Sequence, residues 1–302
     1  LIFVSVIGLA VSLAYLWFSA PDLALTQLSV EVVTIVLMLL ALRYLPQQAA
    51  QSPRGRARLH LIVAALGGCG AAALTYAMIT RPFESISWFY RDNAVPGGGG
   101  TNVVNVILVD FRGFDTLGEI CVLAMAALGV HALLQNLRLV PYVPSAASPA
   151  DRHPIMLAML VRPLLPLALA VSLYVLLRGH NLPGGGFIAG LIAGVALILQ
   201  YIAQGIDFAS ERLRVNSLRV VAAGLALALG TGLASWFFAA PFLTTSHRYV
   251  DLPMIGKTEL ASALVFDIGV YMVVVGVCLL VLTELGALSR REAVSLQNAR
   301  GE

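Results

Sequence analysis

The sequence predicts an all-α protein: a polytopic transmembrane bundle of about eight helical spans arranged as two four-span halves. Three observations carry this. Hydrophobic residues make up 59% of the 302 residues and charged ones only 12%, against roughly half and a quarter in soluble domains. The apolar residues gather into runs of the roughly 20 residues a helix needs to cross the hydrocarbon core. Runs such as Leu59–Thr80 and Leu218–Ala240 lack the polar stripe of period 3.6 that a soluble bundle would show.

Apolar length and breakers give the spans in order as Leu1–Phe18, Ala24–Leu45, Leu59–Thr80, Phe114–Leu137, Ile155–Leu177, Phe187–Ala203, Leu218–Ala240 and Glu259–Leu285. The first begins without an initiator Met or a charged flank. It is a poor signal peptide, and the chain is expected to be a fragment or to continue from something upstream. Between the third and fourth spans, Arg81–Arg112 holds Pro96 and Gly97–Gly100, then Val103–Phe111. That last piece is apolar but too short to cross, so it is expected at the interface or as a half-helix leading into the fourth span. Gln135–Pro154 carries Pro141, Pro144, Pro149 and Pro154. It divides the chain into a membrane region 1–140, a cytoplasmic linker 141–154 and a four-helix membrane domain 155–302. Both halves hold a proline–glycine string, Asn93–Gly99 and Asn181–Gly186, which reads equally as a repeat or as two unrelated turns.

Alternate loops fall on opposite sides of the membrane. One side collects Arg43, Arg54, Arg56, Arg58, Arg138, Arg152, Arg162, Arg212, Arg214, Arg219, Arg290, Arg291 and Arg300; the other has Arg81, Arg91, Arg112, Arg178, Arg248 and Lys257. Basic residues concentrate in cytoplasmic loops, so both ends of the chain are expected in the cytoplasm of a cell-membrane protein. The net charge of +3 is too small to suggest a nucleic-acid partner.

Charged residues inside a bilayer cost on the order of 3 kcal/mol each and usually serve a purpose. Glu31 lies nine residues beyond Asp22, about 13 Å into its span at 1.5 Å per residue. Gln27, Glu31 and Thr34 follow i, i+4, i+7 spacing and share a face, a polar stripe suited to a proton or cation path; the plain alternative is a buried structural carboxyl. Asp110, Arg112, Asp115 and Glu119 crowd the entry of the fourth span around Gly113, and broken helices with polar ends commonly line ion sites. Asp115 reads as an interfacial group at a helix start, whereas Glu119, further in, is an ion-path candidate. Asp267 lies eight residues beyond Glu259, with Tyr271 one turn on and Arg162 a conceivable partner. It serves equally as an ion-route or structural group. His131 is a lone histidine late in the fourth span, a candidate relay because imidazole titrates near neutrality, with no carboxylate one turn away.

Other chemistry finds no support. Gly186, Gly190 and Gly194 repeat at i+4, the small-residue pattern of close helix packing. The glycine string lacks the Lys-Ser/Thr of a phosphate-binding loop. Cys69, Cys121 and Cys278 stand singly in apolar runs, and the five histidines show no zinc-ligand spacing. No cofactor is expected.

Three long strings resemble one known family. Ser19–Pro46, SAPDLALTQLSVEVVTIVLMLLALRYLP, resembles the C-terminal region of the A subunit of multisubunit cation/proton antiporters, the Mrp family. Asn102–Ile120, NVVNVILVDFRGFDTLGEI, is similar to the segment that follows there. Leu160–Gln200, containing RPLLPLALAVSLYVLLRGHNLPGGGFIAGLIAGVALILQ, resembles the B subunit. The order resembles the fused A/B arrangement of that family; similar modules occur in membrane-bound hydrogenases. The resemblance implies a hetero-oligomer with other membrane subunits that exchanges protons for sodium, sometimes potassium. It also implies ion-path roles for Glu31, a candidate transient Na+ ligand, and for Asp110 and Glu119. The family's proton channel with its lysine would lie upstream, since no predicted span here contains a lysine.

Three readings follow: a transporter component with an intramembrane ion path, a component of an energy-converting hydrogenase or other complex I-like oxidoreductase, or a membrane scaffold. The first is the one the family resemblance implies.

Overall fold

The computed structural model describes residues 2–42, 54–135, 155–212, 216–252 and 256–301. Its helices are α1 Ile2–Trp17, α2 Pro21–Leu42, α3 Arg54–Thr80, α4 Ser87–Gly98, α5 Val103–Val106, α6 Gly113–Gln135, α7 Ile155–Arg178, α8 Gly186–Arg212, α9 Ser217–Ala234 and α10 Ser262–Gly301. A helix lies at every one of the eight apolar segments, and the shorter α4 and α5 fall between α3 and α6. Among the described residues, five helices (in α3, α6, α7, α9 and α10) are long and apolar enough to cross a membrane, and α1 and α8 hold shorter apolar stretches. The expected linker 141–154 lies outside the described residues.

The structure departs from the sequence reading at the last span. Glu259 belongs not to a helix but to strand β2, Gly256–Ala261, which pairs antiparallel with β1, His247–Leu252. The two-stranded ladder precedes α10. Its residues are short and mixed in polarity, without the clean alternation that marks a strand.

The helices pack around α10. Its residues Phe266, Val270, Val273 and Val274 form the main core with Ile120 and Ala124 of α6 and Val221 and Ala228 of α9. Glycines set the spacing. A methyl at Gly186, Gly190 or Gly194 would run into the Asp267 backbone, the Val274 side chain or Cys278 Sγ, so the i+4 glycine stripe of α8 is the seam on which α10 lies, as small-residue packing requires. On the other side, a Cβ on Gly224 of α9 would stand 2.7 Å from the Gly269 carbonyl oxygen. Helices from the two ends of the sequence interleave here: α2 packs on α8, and α6 on both α9 and α10. By contrast, the described side chains of α3 are all exposed.

The short apolar piece Val103–Phe111 is an interrupted half-helix, α5 followed by a π-helical turn at Ile107–Phe111. Arg112 leaves helical geometry with φ −128° and ψ 30°, and α6 starts afresh at Gly113. The Thr116 hydroxyl donates to the Leu108 carbonyl at 2.6 Å, answering an acceptor that the break leaves over. The two glycine strings play opposite parts. The first ends a helix: Gly99, at φ +78°, donates its N–H to Val95 at 3.0 Å. The second leads into one: Gly185, at φ +110°, precedes α8. They nevertheless meet. The Thr101 N–H and hydroxyl donate to Asn181, and Asn102 Nδ2 donates to the carbonyls of Gly179 at 3.0 Å and Leu182 at 3.1 Å.

Candidate functional site

At that meeting point three buried polar side chains converge on the glycine loop. Asp22 comes from the first turn of α2, Asn105 from α5 and Asp267 from the second turn of α10. They are 5%, 4% and 6% exposed. Asp22 Oδ1 accepts the Gly184 N–H at 2.6 Å. The Asp267 carboxylate accepts the Gly186 N–H and, on Oδ2, Asn105 Nδ2 at 3.1 Å. Two carboxylates from opposite ends of the sequence thus hang on backbone donors two residues apart at the head of α8, where free N–H groups receive anionic groups well. Side chains are excluded from this loop: a Cβ on Gly184 would strike the Val175 carbonyl, and one on Gly185 would stand 2.7 Å from Asn105 Nδ2.

The three side chains line a cavity of about 320 Å³, together with Thr26, Thr116 and Glu119. Leu108, Val109, Phe187, Ile188 and Val270 give it apolar walls. Three acidic residues and no basic one line it. Glu119 is exposed, unlike the two aspartates, and among the described residues no three His, Cys, Asp or Glu side chains come close enough to hold a metal ion. The cavity is therefore a two-carboxylate niche with a third carboxylate further off. Asp22 Oδ2 and Asn105 Oδ1 are buried and have no hydrogen-bond partner.

Of the residues singled out in sequence, Glu119 and Asp267 meet at this cavity and the others lie elsewhere. Asp267 is partnered by Asn105 and Gly186; Arg162, the conceivable partner from the sequence, is exposed on α7. Glu31 presses its carboxylate against Gly8 of α1, leaving Oε1 buried without a hydrogen bond. Gln27 is half-buried, and the Thr34 hydroxyl is spent on the Val30 carbonyl at 2.9 Å. Asp110 lies in the π-helical turn, where Oδ1 accepts the Thr245 N–H at 2.8 Å and ties that turn to the chain after α9. Asp115 forms an exposed ion pair with Arg112.

His131 has no carboxylate one turn away on its own helix, but it has one across the bundle. Glu284 of α10 places Oε1 2.6 Å from His131 Nδ1, and Gln135 Nε2 lies 2.6 Å from His131 Nε2. Sequence spacing could not pair residues 153 positions apart. Sequence reasoning likewise passed over Asp22 and Asn105. Asp22 read as a marker of the span's start, and a lone Asn in an apolar hexamer carries no spacing signal.

Comparison with known proteins agrees along most of the chain. Residues 156–280 match the family described as a domain related to the MnhB subunit of Na+/H+ antiporter. Residues 55–153 match MbhE, the E subunit of MBH, and residues 1–47 match MbhD, its D subunit. The chain is 44% identical, over 94% of its length, to a probable A/B subunit of a K+/H+ antiporter from Rhizobium meliloti, of which it covers 31%. It is 47% identical over 118 residues to the B subunit of the Na+/H+ antiporter of Bacillus subtilis, covering 82% of that protein. The solved Mrp complex from Dietzia sp. DQ12-45-1b holds a chain that superposes with a TM-score of 0.81 at 39% identity, over 94% of this chain and 32% of that one. The chain thus spans about a third of the length of its A/B-type relatives. It belongs to the Mrp antiporter family and joins the C-terminal region of an A-type subunit to a B-type one.

Proposed function

We propose that this chain is a membrane component of a multisubunit cation/proton antiporter of the cell membrane, working as a transporter part and not as an enzyme. It contributes a stretch of intramembrane ion path and the surfaces on which other antiporter subunits assemble. The carrying observation is the cavity where Asp22 and Asp267, brought from opposite ends of the chain, hang on the Gly184 and Gly186 N–H groups with Glu119 nearby. Carboxylates held in an apolar-walled niche are costly, and the capacity to exchange a proton for a cation is what offsets that cost. Glu31, with Gln27 and Thr34 on its face, is a second station on the path, and His131 with Glu284 a third near the opposite end of α6 and α10. Asp110 contributes by positioning the broken helix.

The same reading takes all eight apolar helices as crossings, two groups of four joined by the cytoplasmic linker 141–154, with both ends inside. Na+ or K+ and H+ are the transported ions, on the strength of what the relatives are named for. Those relatives are antiporter subunits and cover nearly the whole chain, which favours transport over the hydrogenase alternative. The test is sodium- and potassium-dependent proton flux in vesicles holding the complete complex. Asp267→Asn should lower exchange by about tenfold or more, equivalent to about 1.4 kcal/mol or more, with assembly intact. Wild-type exchange in an assembled Asp267→Asn complex would remove the cavity from the ion path.

A further inference from the structure

The geometry points to a binding site for one monovalent cation formed by Asp22 and Asn105 beside the Gly184–Gly186 loop, with Asp267 completing its wall. Asn105 is the key to it. Its Nδ2 faces the Asp267 carboxylate at 3.1 Å. That contact fixes the amide's orientation, because the reverse assignment would set a carbonyl oxygen against a carboxylate oxygen. Oδ1 is then committed to the other direction. It is buried without a hydrogen-bond partner, and the residue is 4% exposed. Asp22 repeats the pattern: Oδ1 is used by the Gly184 N–H, while Oδ2 is buried and unpartnered in a residue 5% exposed. The Asn102 side chain also hydrogen-bonds the Asp22 carboxylate, with its amide donors shared with the Gly179 and Leu182 carbonyls, so the oxygen left over is Oδ2 alone. Asp22 and Asn105 line the same cavity.

With Asp22 ionised, the two orphaned acceptor oxygens, one anionic and one amide, cannot satisfy each other, since neither then carries a proton to donate. Left bare they are expensive; a hard cation with oxygen preference satisfies both at once. Charge and ligand number select its valence. Asp267 has its donors already, from Asn105 and Gly186, and among the described residues no third acidic side chain closes in. A calcium ion wants about six to eight oxygens and magnesium a strict octahedron. One uncommitted anionic oxygen and one carbonyl, with the Thr26 and Thr116 hydroxyl oxygens on the same wall, suit a single positive charge. Interrupted helices that offer oxygen ligands are the common setting for such sites, and α5 is one.

The inference rests on the chain being part of an antiporter ion path. The test uses the complete purified complex and equilibrium binding of radioactive Na+ at one fixed pH, with K+ and Ca2+ as competitors. Asp22→Asn and, separately, Asn105→Leu should weaken Na+ or K+ binding about tenfold or more, with Ca2+ a poor competitor. Unchanged binding in either variant overturns the site, and preferential Ca2+ binding overturns its valence. Should either variant fail to assemble, the wild-type complex saturated with Tl+, a heavy monovalent probe, should show density between Asp22 and Asn105 by electron cryo-microscopy. Density there no heavier than water overturns the site. If Asp267→Asn abolishes exchange while Asp22→Asn leaves Na+ binding intact, the antiporter reading stands and the site falls. If Asp22→Asn abolishes binding while exchange survives every cavity substitution, the site stands and the cavity leaves the ion path.

Discussion

His131 Nδ1 on α6 lies 2.6 Å from Glu284 Oε1 on α10, joining a helix within the segment that matches MbhE to one that starts within the segment that matches the MnhB-related domain. Glu284 is seventeen residues beyond Asp267 on the same helix, about 26 Å at 1.5 Å per residue, close to the thickness of a hydrocarbon core. Between the two levels the seam is apolar, with Ile120 and Ala124 of α6 against Val270, Val273 and Val274 of α10. The His131–Glu284 pair closes this seam at one end, while at the other Asp267 is bonded to Asn105 of α5 and Gly186 of α8.

His131→Ala and Glu284→Ala should each destabilise the assembled complex, and the double substitution should cost little more than the worse single one. The coupling should be about 0.5–3 kcal/mol, as for residues in direct contact. Thermal unfolding of the four complexes in detergent measures it; additive losses would mean that the two side chains do not act as a pair.

Glu31 depends on Gly8. A methyl on Gly8 would occupy the place of the Glu31 carboxylate, so Gly8→Ala must push that group aside, at a cost of about 1–3 kcal/mol for overpacking. Glu31→Gln keeps shape and hydrogen bonding while removing the charge. If Glu31 is on the ion path, Glu31→Gln should lower exchange about tenfold in complexes that still assemble, and Gly8→Ala should lower it part of the way. Wild-type flux in both would make Glu31 a packing group.

The α8–α10 seam should tolerate no side chain. Gly190→Val sets new methyls where a Cβ alone would already stand 2.8 Å from Val274 Cβ. Loss of about 3 kcal/mol or failure to assemble is expected, read from the yield of intact complex. Gly230 of α9 faces open space, and Gly230→Ala should leave the yield unchanged.

The distribution of basic residues predicts that both ends of the chain lie in the cytoplasm. Cysteines introduced at Ser52 and Gln297 should react with an impermeant maleimide only from the cytoplasmic side. Labelling of either in intact cells would reverse the topology.

Helix positions were legible in the sequence because bilayer-length apolar runs leave the backbone one way to satisfy its hydrogen bonds. The break before α6 was legible for the same reason, since a mostly apolar piece as short as Val103–Phe111 cannot cross. The role of Gly186, Gly190 and Gly194 could be read from spacing on one helix. What spacing cannot reach is a partner on another element. Asp22 and Asp267 are 245 positions apart, and His131 and Glu284 are 153 apart; each pair is decided by which helices touch α8 and α10. Glu31 and Asp267 looked alike in sequence, each an acid early in an apolar helix. Only packing separated them, seating one against bare Gly8 and giving the other two donors and a cavity. The hairpin before α10 stayed hidden because a two-stranded ladder is held by cross-strand pairs, and its short strands carry too few alternating residues to announce them. The sequence therefore determined the solvent, the helices and the family. The tertiary structure alone decided which buried oxygens share a space, because that depends on side chains meeting across helices and not along them.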